Sequence, residues 1–288
     1  SERLQLAAVE YHWVNFLDIK NPSEAVQLAA VRINPDVIEH IPNPSERVQL
    51  AAVRHKASSI QWIKNPTERA KLEAIYQDGR SIAFITNPTE TMQLQAVEQN
   101  PDALQSIADP SERVQIKAVR DCWYAIKYIE NPSEVVQMAA VKSSGFALCC
   151  IKNPSKAIQM MALKHSGDAL QYINTPSDKF IFMALRNDPH AISFVKNPSE
   201  SVQLMAVLME PLVISYLREP SFAVHLAASG QWAWALSLVA DPPEELQREF
   251  VKKDPNSFHS IKKPAASVRR LYKKLTQGPN VLTSQIAI

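Results

Sequence analysis

Cysteine and glycine are scarce in this chain, with three of the first and five of the second among 288 residues. The cysteines are Cys122 and the adjacent pair Cys149-Cys150. An odd set without regular spacing excludes a disulfide framework and points to a reducing compartment, the cytoplasm, with the thiols acting as small apolar fillers. No run approaches the roughly 18 apolar residues that a spanning helix needs, so no membrane span is expected. A charged-then-apolar leader is also missing. The chain starts in mid-motif at Ser1-Glu2-Arg3, which leaves room for an upstream segment. Catalytic signatures are absent: there is no glycine-rich phosphate loop, G-x-S-x-G elbow, H-E-x-x-H or C-x-x-C. The seven histidines are mostly single and out of register. Neither an enzyme, a metal centre nor a cofactor is expected.

Proline is plentiful, and it falls in register. From Pro22, steps of 22 residues meet Pro44, Pro66, Pro88, Pro110, Pro132, Pro154, Pro176, Pro198, Pro220, Pro242 and Pro264 without a slip. Pro35, Pro101, Pro189, Pro211 and Pro255 share a second column thirteen residues after the first. Seventeen of the twenty prolines are therefore punctuation of an internal repeat.

The unit reads approximately N-P-S-E-x-V-Q-L-A-A-V-x-x-x-P/G-x-A-I-x-x-I-x. Its opening predicts a helix start in which Asn21 caps, Pro22 takes the first helical position and Glu24 reaches back to close a capping box. Asn43, Asn65, Asn87, Asp109, Asn131 and Asn197 open the same pattern. A helix of about ten residues follows, with Val48, Ala52 and Val53 on its apolar face. The second column stops it and starts a shorter helix of about six or seven residues, α or 3-10, with Ala125, Ile126 and Ile129 as its stripe. Asn34, Asn100, Asp188 and Asp254 would cap that helix before proline. Gly79, Gly145 and Gly167 would instead let the chain turn at a helix C-terminus. Neither helix buries its face alone, so the units must stack.

The expected fold is all-α, a right-handed-type α-solenoid of 22-residue two-helix repeats. It comprises a partial repeat (1–20), eleven full repeats to 262, and a divergent basic cap with an extended tail over 263–288. The motifs Val136-Gln137-Met138-Ala139-Ala140-Val141 and Gly145-Phe146-Ala147-Leu148 resemble a short helical repeat family of unknown function, with an A-A-V…G-x-A-L core, found in viral, phage and microbial genomes. The alternation of long and short helices is similar to leucine-rich-repeat-variant and HEAT-like solenoids. The resemblance covers nearly the whole chain. It implies fold and a phage or viral source, and it carries no catalytic residue. The cysteine cluster that binds an iron–sulfur centre in some relatives is missing.

In a solenoid, equivalent positions form ladders. The glutamine column (Gln5, Gln27, Gln49, Gln93, Gln115, Gln137, Gln159, Gln203 and Gln247) lies within the apolar arc, where each amide either finds hydrogen-bond partners in loops or neighbouring caps or joins a row of ligand contacts on a concave face. An aromatic column near the end of the short helix (His40, Trp62, Phe84, Tyr128, Tyr172, Phe194 and Tyr216) is expected to be partly exposed, as packing or as partner contact. A basic column ends the long helix at Arg32, Arg54, Arg120, Lys142, Lys164 and Arg186, where it suits the helix dipole. Arg47, Arg69 and Arg113 stand seven residues earlier on the same side.

Charge is uneven beneath a net +2. From Phe250 onward there are eight basic residues and one acid, against 23 basic and 28 acidic before it. Arg269, Arg270, Lys273 and Lys274 fall at helical spacing and form a cationic face. Regularity breaks between Ser177 and Trp234, where Phe180, Phe182, Met183, Met205, Leu208, Met209, Trp232 and Trp234 gather. That stretch reads as local repacking or as an apolar protein-binding patch. The expectation is thus a non-enzymatic scaffold that binds a protein, a host factor or a particle component, through the aromatic column, Phe180, Trp232 and Trp234. The alternative partner is a nucleic acid, held by the basic ladders and the C-terminal cluster.

Overall fold

The computed structural model describes residues 1–228, 230–237, 239 and 241–277. All regular structure among them is helical, as the 22-residue pattern requires. Packing divides the chain into two compact units, 1–143 and 144–288. Each is a solenoid stack of one long and one short helix per repeat. In the first unit the long helices are α1 (Glu2–Tyr11), α2 (Glu24–Ile33), α3 (Glu46–His55), α4 (Glu68–Gln77), α5 (Glu90–Gln99), α6 (Glu112–Asp121) and α7 (Glu134–Ser143). In the second they are α8 (Lys156–His165), α9 (Asp178–Asn187), α10 (Glu200–Met209), α11 (Phe222–Ala228), α13 (Glu244–Lys253) and α14 (Ala266–Thr276), with a short α12 (Trp232–Ser237) after α11. The intervening short helices, such as Pro35–His40 and Pro189–Phe194, are 3-10 helices of six residues.

The long helices start later than their opening motif suggests. Ser23, not Asn21, is the N-cap, and its Oγ accepts the Val26 N–H at 3.4 Å. Ser45, Thr67, Thr89, Ser111 and Ser199 cap in the same way. Asn21, Asn43, Asn87 and Asn153 instead hold left-handed backbone, with φ of 50°, 69°, 52° and 50°. Asparagine tolerates that region better than most residues, and a following proline disfavours the right-handed helical one. The proline therefore precedes the helix and turns the chain into it. The expected capping box is replaced by a bond between repeats. Glu24 accepts from Ser45 Oγ at 2.5 Å, Glu112 from Ser133 at 2.5 Å, and Glu200 from Ser221 at 2.5 Å. Each carboxylate holds the cap of the next helix.

The short helices begin as expected, because Asn34, Asn100, Asp188 and Asp254 each accept the N–H two residues on, at 2.9–3.1 Å. The glycines do not act as left-handed caps. A Cβ on Gly79 would lie 2.3 Å from the Ala96 carbonyl oxygen, and one on Gly145 would lie 2.7 Å from that of Ala162. At these glycines the backbone of the next long helix comes too close for a Cβ.

Val48, Ala52, Val53 and Ile60 are buried, as are Val114, Ala118, Val119 and Ile126 in their own repeats. Each of these valines and isoleucines contributes roughly 1.5–3 kcal/mol when fully buried, and each alanine less. The register runs on past 262. Gln247 Oε1 accepts the Ala265 N–H at 3.1 Å, as Gln49 accepts that of Thr67 at 2.9 Å, and α14 packs on α13 as the long helix of a further repeat. Ser229 and the tail expected from Gly278-Pro279 to residue 288 lie outside the described residues.

Candidate partner-binding surface

The glutamine column resolves as structural. Nε2 of Gln27, Gln49, Gln115, Gln137 and Gln203 donates to the carbonyl of the column proline five residues earlier, at 2.9–3.0 Å. Gln93, Gln159 and Gln247 do the same at 3.3, 3.1 and 2.7 Å. Gln49 also holds the loop of the next repeat through Thr67 N–H. These amides satisfy loop carbonyls and leave no row of free donors along the stack.

The aromatic column is at the surface. Trp62, Phe84, Tyr172, Phe194 and Tyr216 are 39%, 43%, 37%, 41% and 51% exposed, and Tyr128 is half-buried. Each ring stands at the last position of its 3-10 helix, and three of them meet the second residue of the preceding one. Tyr128 Oη donates to Asp102 Oδ1 at 3.0 Å. Tyr172 meets Phe146 edge-on at 6.4 Å between centroids, and Tyr216 meets His190 at 5.9 Å. Trp62 is near enough to the Asp36 carboxylate to help lower its pKa. Burial pushes that carboxyl up, but hydrogen bonds from Lys56 and Ser59, aided by Trp62, outweigh it and hold Asp36 below the usual carboxylate value. The Tyr172 phenol is raised by burial, then by the nearby Cys149, Cys150 and Asp168. Tyr128, Tyr172 and Tyr216 are thus each held by a residue of the preceding short helix and remain partly open to solvent. Ser106 and Cys150 interrupt the column between Phe84 and Tyr172.

The structure separates the residues of the irregular stretch. Phe180 and Phe182 are 9% and 5% exposed, and Met205 and Leu208 are buried. Phe180, expected at a binding surface, is a core residue, because it occupies the column of Val48. Trp232 is half-buried against Phe250, at 6.3 Å between centroids, with Lys253 over its face. Trp234 alone among these is open, at 71%. The apolar patch is mostly covered by the chain itself: α11 has seven residues instead of ten, and α13 packs against α10. Arg186 of α9 pairs with Glu249 of α13 at 3.8 Å, which places α13 across the outer face of α10.

Of the cations, Arg47, Arg69 and Arg113 pair with glutamates of the preceding repeat at 3.3–3.9 Å, and Arg54 pairs with Glu73 at 3.2 Å. These paired arginines carry little free field. Arg269, Arg270, Lys273 and Lys274 differ: all four are exposed on α14 and none makes an ion pair among the described residues. That helix is fixed by Tyr272, stacked on Phe258 at 4.2 Å.

Sequence reasoning missed one feature, the outer grooves between adjacent long helices. Ile116, Val135, Met138 and Ala139 floor a groove between α6 and α7, and Arg120 and Lys142 stand along it. Leu72 and Tyr76 line another between α4 and α5. The signal was present, since the second residue after the column valine-glutamine pair is often small or polar, but the first stays apolar, as at Leu72, Ile116 and Met138. Among the described residues, no group of three or more His, Cys, Asp or Glu is placed to hold a metal ion, and no helix is long and apolar enough to cross a membrane. The resemblance to short helical repeats rests on its motifs alone, because no protein-family model, curated protein or solved structure matches this chain.

Proposed function

We propose that this protein is a non-enzymatic repeat scaffold, working in the cytoplasm of a cell or inside a virus particle, that binds a protein through the aromatic ladder of its 3-10 helices. The observation that carries this reading is the exposure of large rings that are already held in place. Tyr172, Phe194 and Tyr216 are 37–51% open, yet Tyr172 and Tyr216 are fixed by Phe146 and His190. Rings ordered before contact lose little entropy on binding, and such residues dominate protein interfaces. The test is capture of partner proteins on the immobilised chain. Replacing Tyr172, Phe194 and Tyr216 together by alanine is expected to reduce retention at least tenfold. Equal retention by the variant rejects the ladder.

A second reading, nucleic-acid binding, is favoured by the four unpaired cations of α14. It predicts affinity that falls steeply with salt and is lost when Arg269, Arg270, Lys273 and Lys274 become glutamine. Protein binding through the ladder should survive that change.

A further inference from the structure

We infer that the groove between α6 and α7 is a second docking surface, and that its occupant is an acidic amphipathic helix of a partner protein. The second unit contains such an arrangement within one chain. There α13 packs against α10, and its Glu249 carboxylate reaches Arg186 in the last turn of α9 at 3.8 Å. Under it Leu204, Met205 and Leu208 of α10 are buried.

The α6–α7 pair has the same parts and no cover. Arg120 stands where Arg186 does. Met138, Ala139 and Lys142 stand where Leu204, Met205 and Leu208 do. Ile116 and Val135 complete an apolar floor, and Val135 is 58% exposed. The acids nearby are already engaged, since Lys117 pairs with Glu98 at 3.2 Å and with Asp121 at 3.1 Å. Arg120 and Lys142 make no ion pair among the described residues. The groove thus offers apolar area lined by two cations and one carboxylate, Glu134, a net positive charge, whereas its covered counterpart has a leucine in place of the second cation. Helix-in-groove recognition uses this combination, an apolar stripe for affinity and charge for orientation. The fitting ligand carries one carboxylate for Arg120 and a second, about one turn away, for Lys142.

This surface is distinct from the aromatic ladder, so the two stand or fall separately. The probe is a fluorescein-labelled synthetic helix of about 18 residues with leucines along one face and two glutamates one turn apart, titrated onto the full chain by anisotropy. Binding is expected, and it should weaken about tenfold for Arg120→Glu with Lys142→Glu, and for the peptide with glutamine in place of glutamate. Val135→Ser, at a position too exposed to unfold α7, should weaken it severalfold. Tyr172→Ala, Phe194→Ala and Tyr216→Ala should leave it unchanged. No binding, equal binding of the glutamine peptide, or indifference to the Arg120 and Lys142 changes overturns the proposal. So does light scattering that finds a dimer broken by Val135→Ser, because the occupant would then be a second copy.

Discussion

The α6–α7 and α9–α10 pairs are built from one repeat, yet the outer face of one is open and that of the other is covered. The difference lies in few residues. Position by position, Met138, Ala139 and Lys142 become Leu204, Met205 and Leu208, and α11 stops after seven residues. In the second unit α13 packs against α10, and Leu208 is buried where its counterpart Lys142 is exposed. Charge follows the same division. Residues 1–143 hold 15 basic and 18 acidic side chains, and residues 144–288 hold 16 and 11. The comparison teaches that the repeat fixes an inner spine common to both units, whereas the outer face is free to be a surface or a core.

Putting a lysine back under α13 breaks this contrast most severely. Leu208 is 1% exposed, so Leu208→Lys buries a charge with no partner and should cost about 3 kcal/mol or more in denaturant unfolding. The reciprocal Lys142→Leu should change stability by less than about 0.5 kcal/mol. A smaller effect is expected at close helix approaches. Gly79→Ala sets a methyl 2.3 Å from a backbone carbonyl and should cost about 1–3 kcal/mol by the same measurement, although Ala57 occupies the equivalent column in the preceding repeat.

The glutamine column gives a finer contrast. Gln49 uses both ends of its amide, whereas Gln203 Oε1 is buried without a partner. Gln49→Met should therefore destabilise by about 1–2 kcal/mol, and Gln203→Met by less. The smallest effect is that of pH. Hydrogen bonds from Arg54 lead the causes that depress Glu73, and those from Arg80 lead at Asp78; Asp36 is depressed as described above. Carboxylates held low in the folded state add stability that is fully present above the unfolded values, near about pH 4, and is lost as pH falls through the folded ones. All three lie in the first unit. Lowering pH from 5 to 3 should weaken it slightly, and Asp36→Asn should flatten that response.

Sequence reading went far for the fold because repetition supplies its own controls. One proline column, seen twelve times, located the loops between successive repeats, and the apolar arc at Val48, Ala52 and Val53 gave the face that is buried. It misplaced the helix start by two residues, since asparagine, serine and threonine are all acceptable caps and only the backbone angle at Asn21 decides between them. It read glycine as a turn where the neighbouring carbonyl comes too close for a Cβ. At the candidate surface the aromatic column was legible, but Phe180 was not assigned to the core and the α6–α7 groove went unseen.

By itself the sequence determined the two-helix unit, its length, its buried spine and the polar groups that must be satisfied within it, because these are local and recur every 22 residues. Tertiary structure alone decided which outward residues meet solvent. That depends on where a distant helix such as α13 comes to rest, and no period in the chain encodes a contact made once.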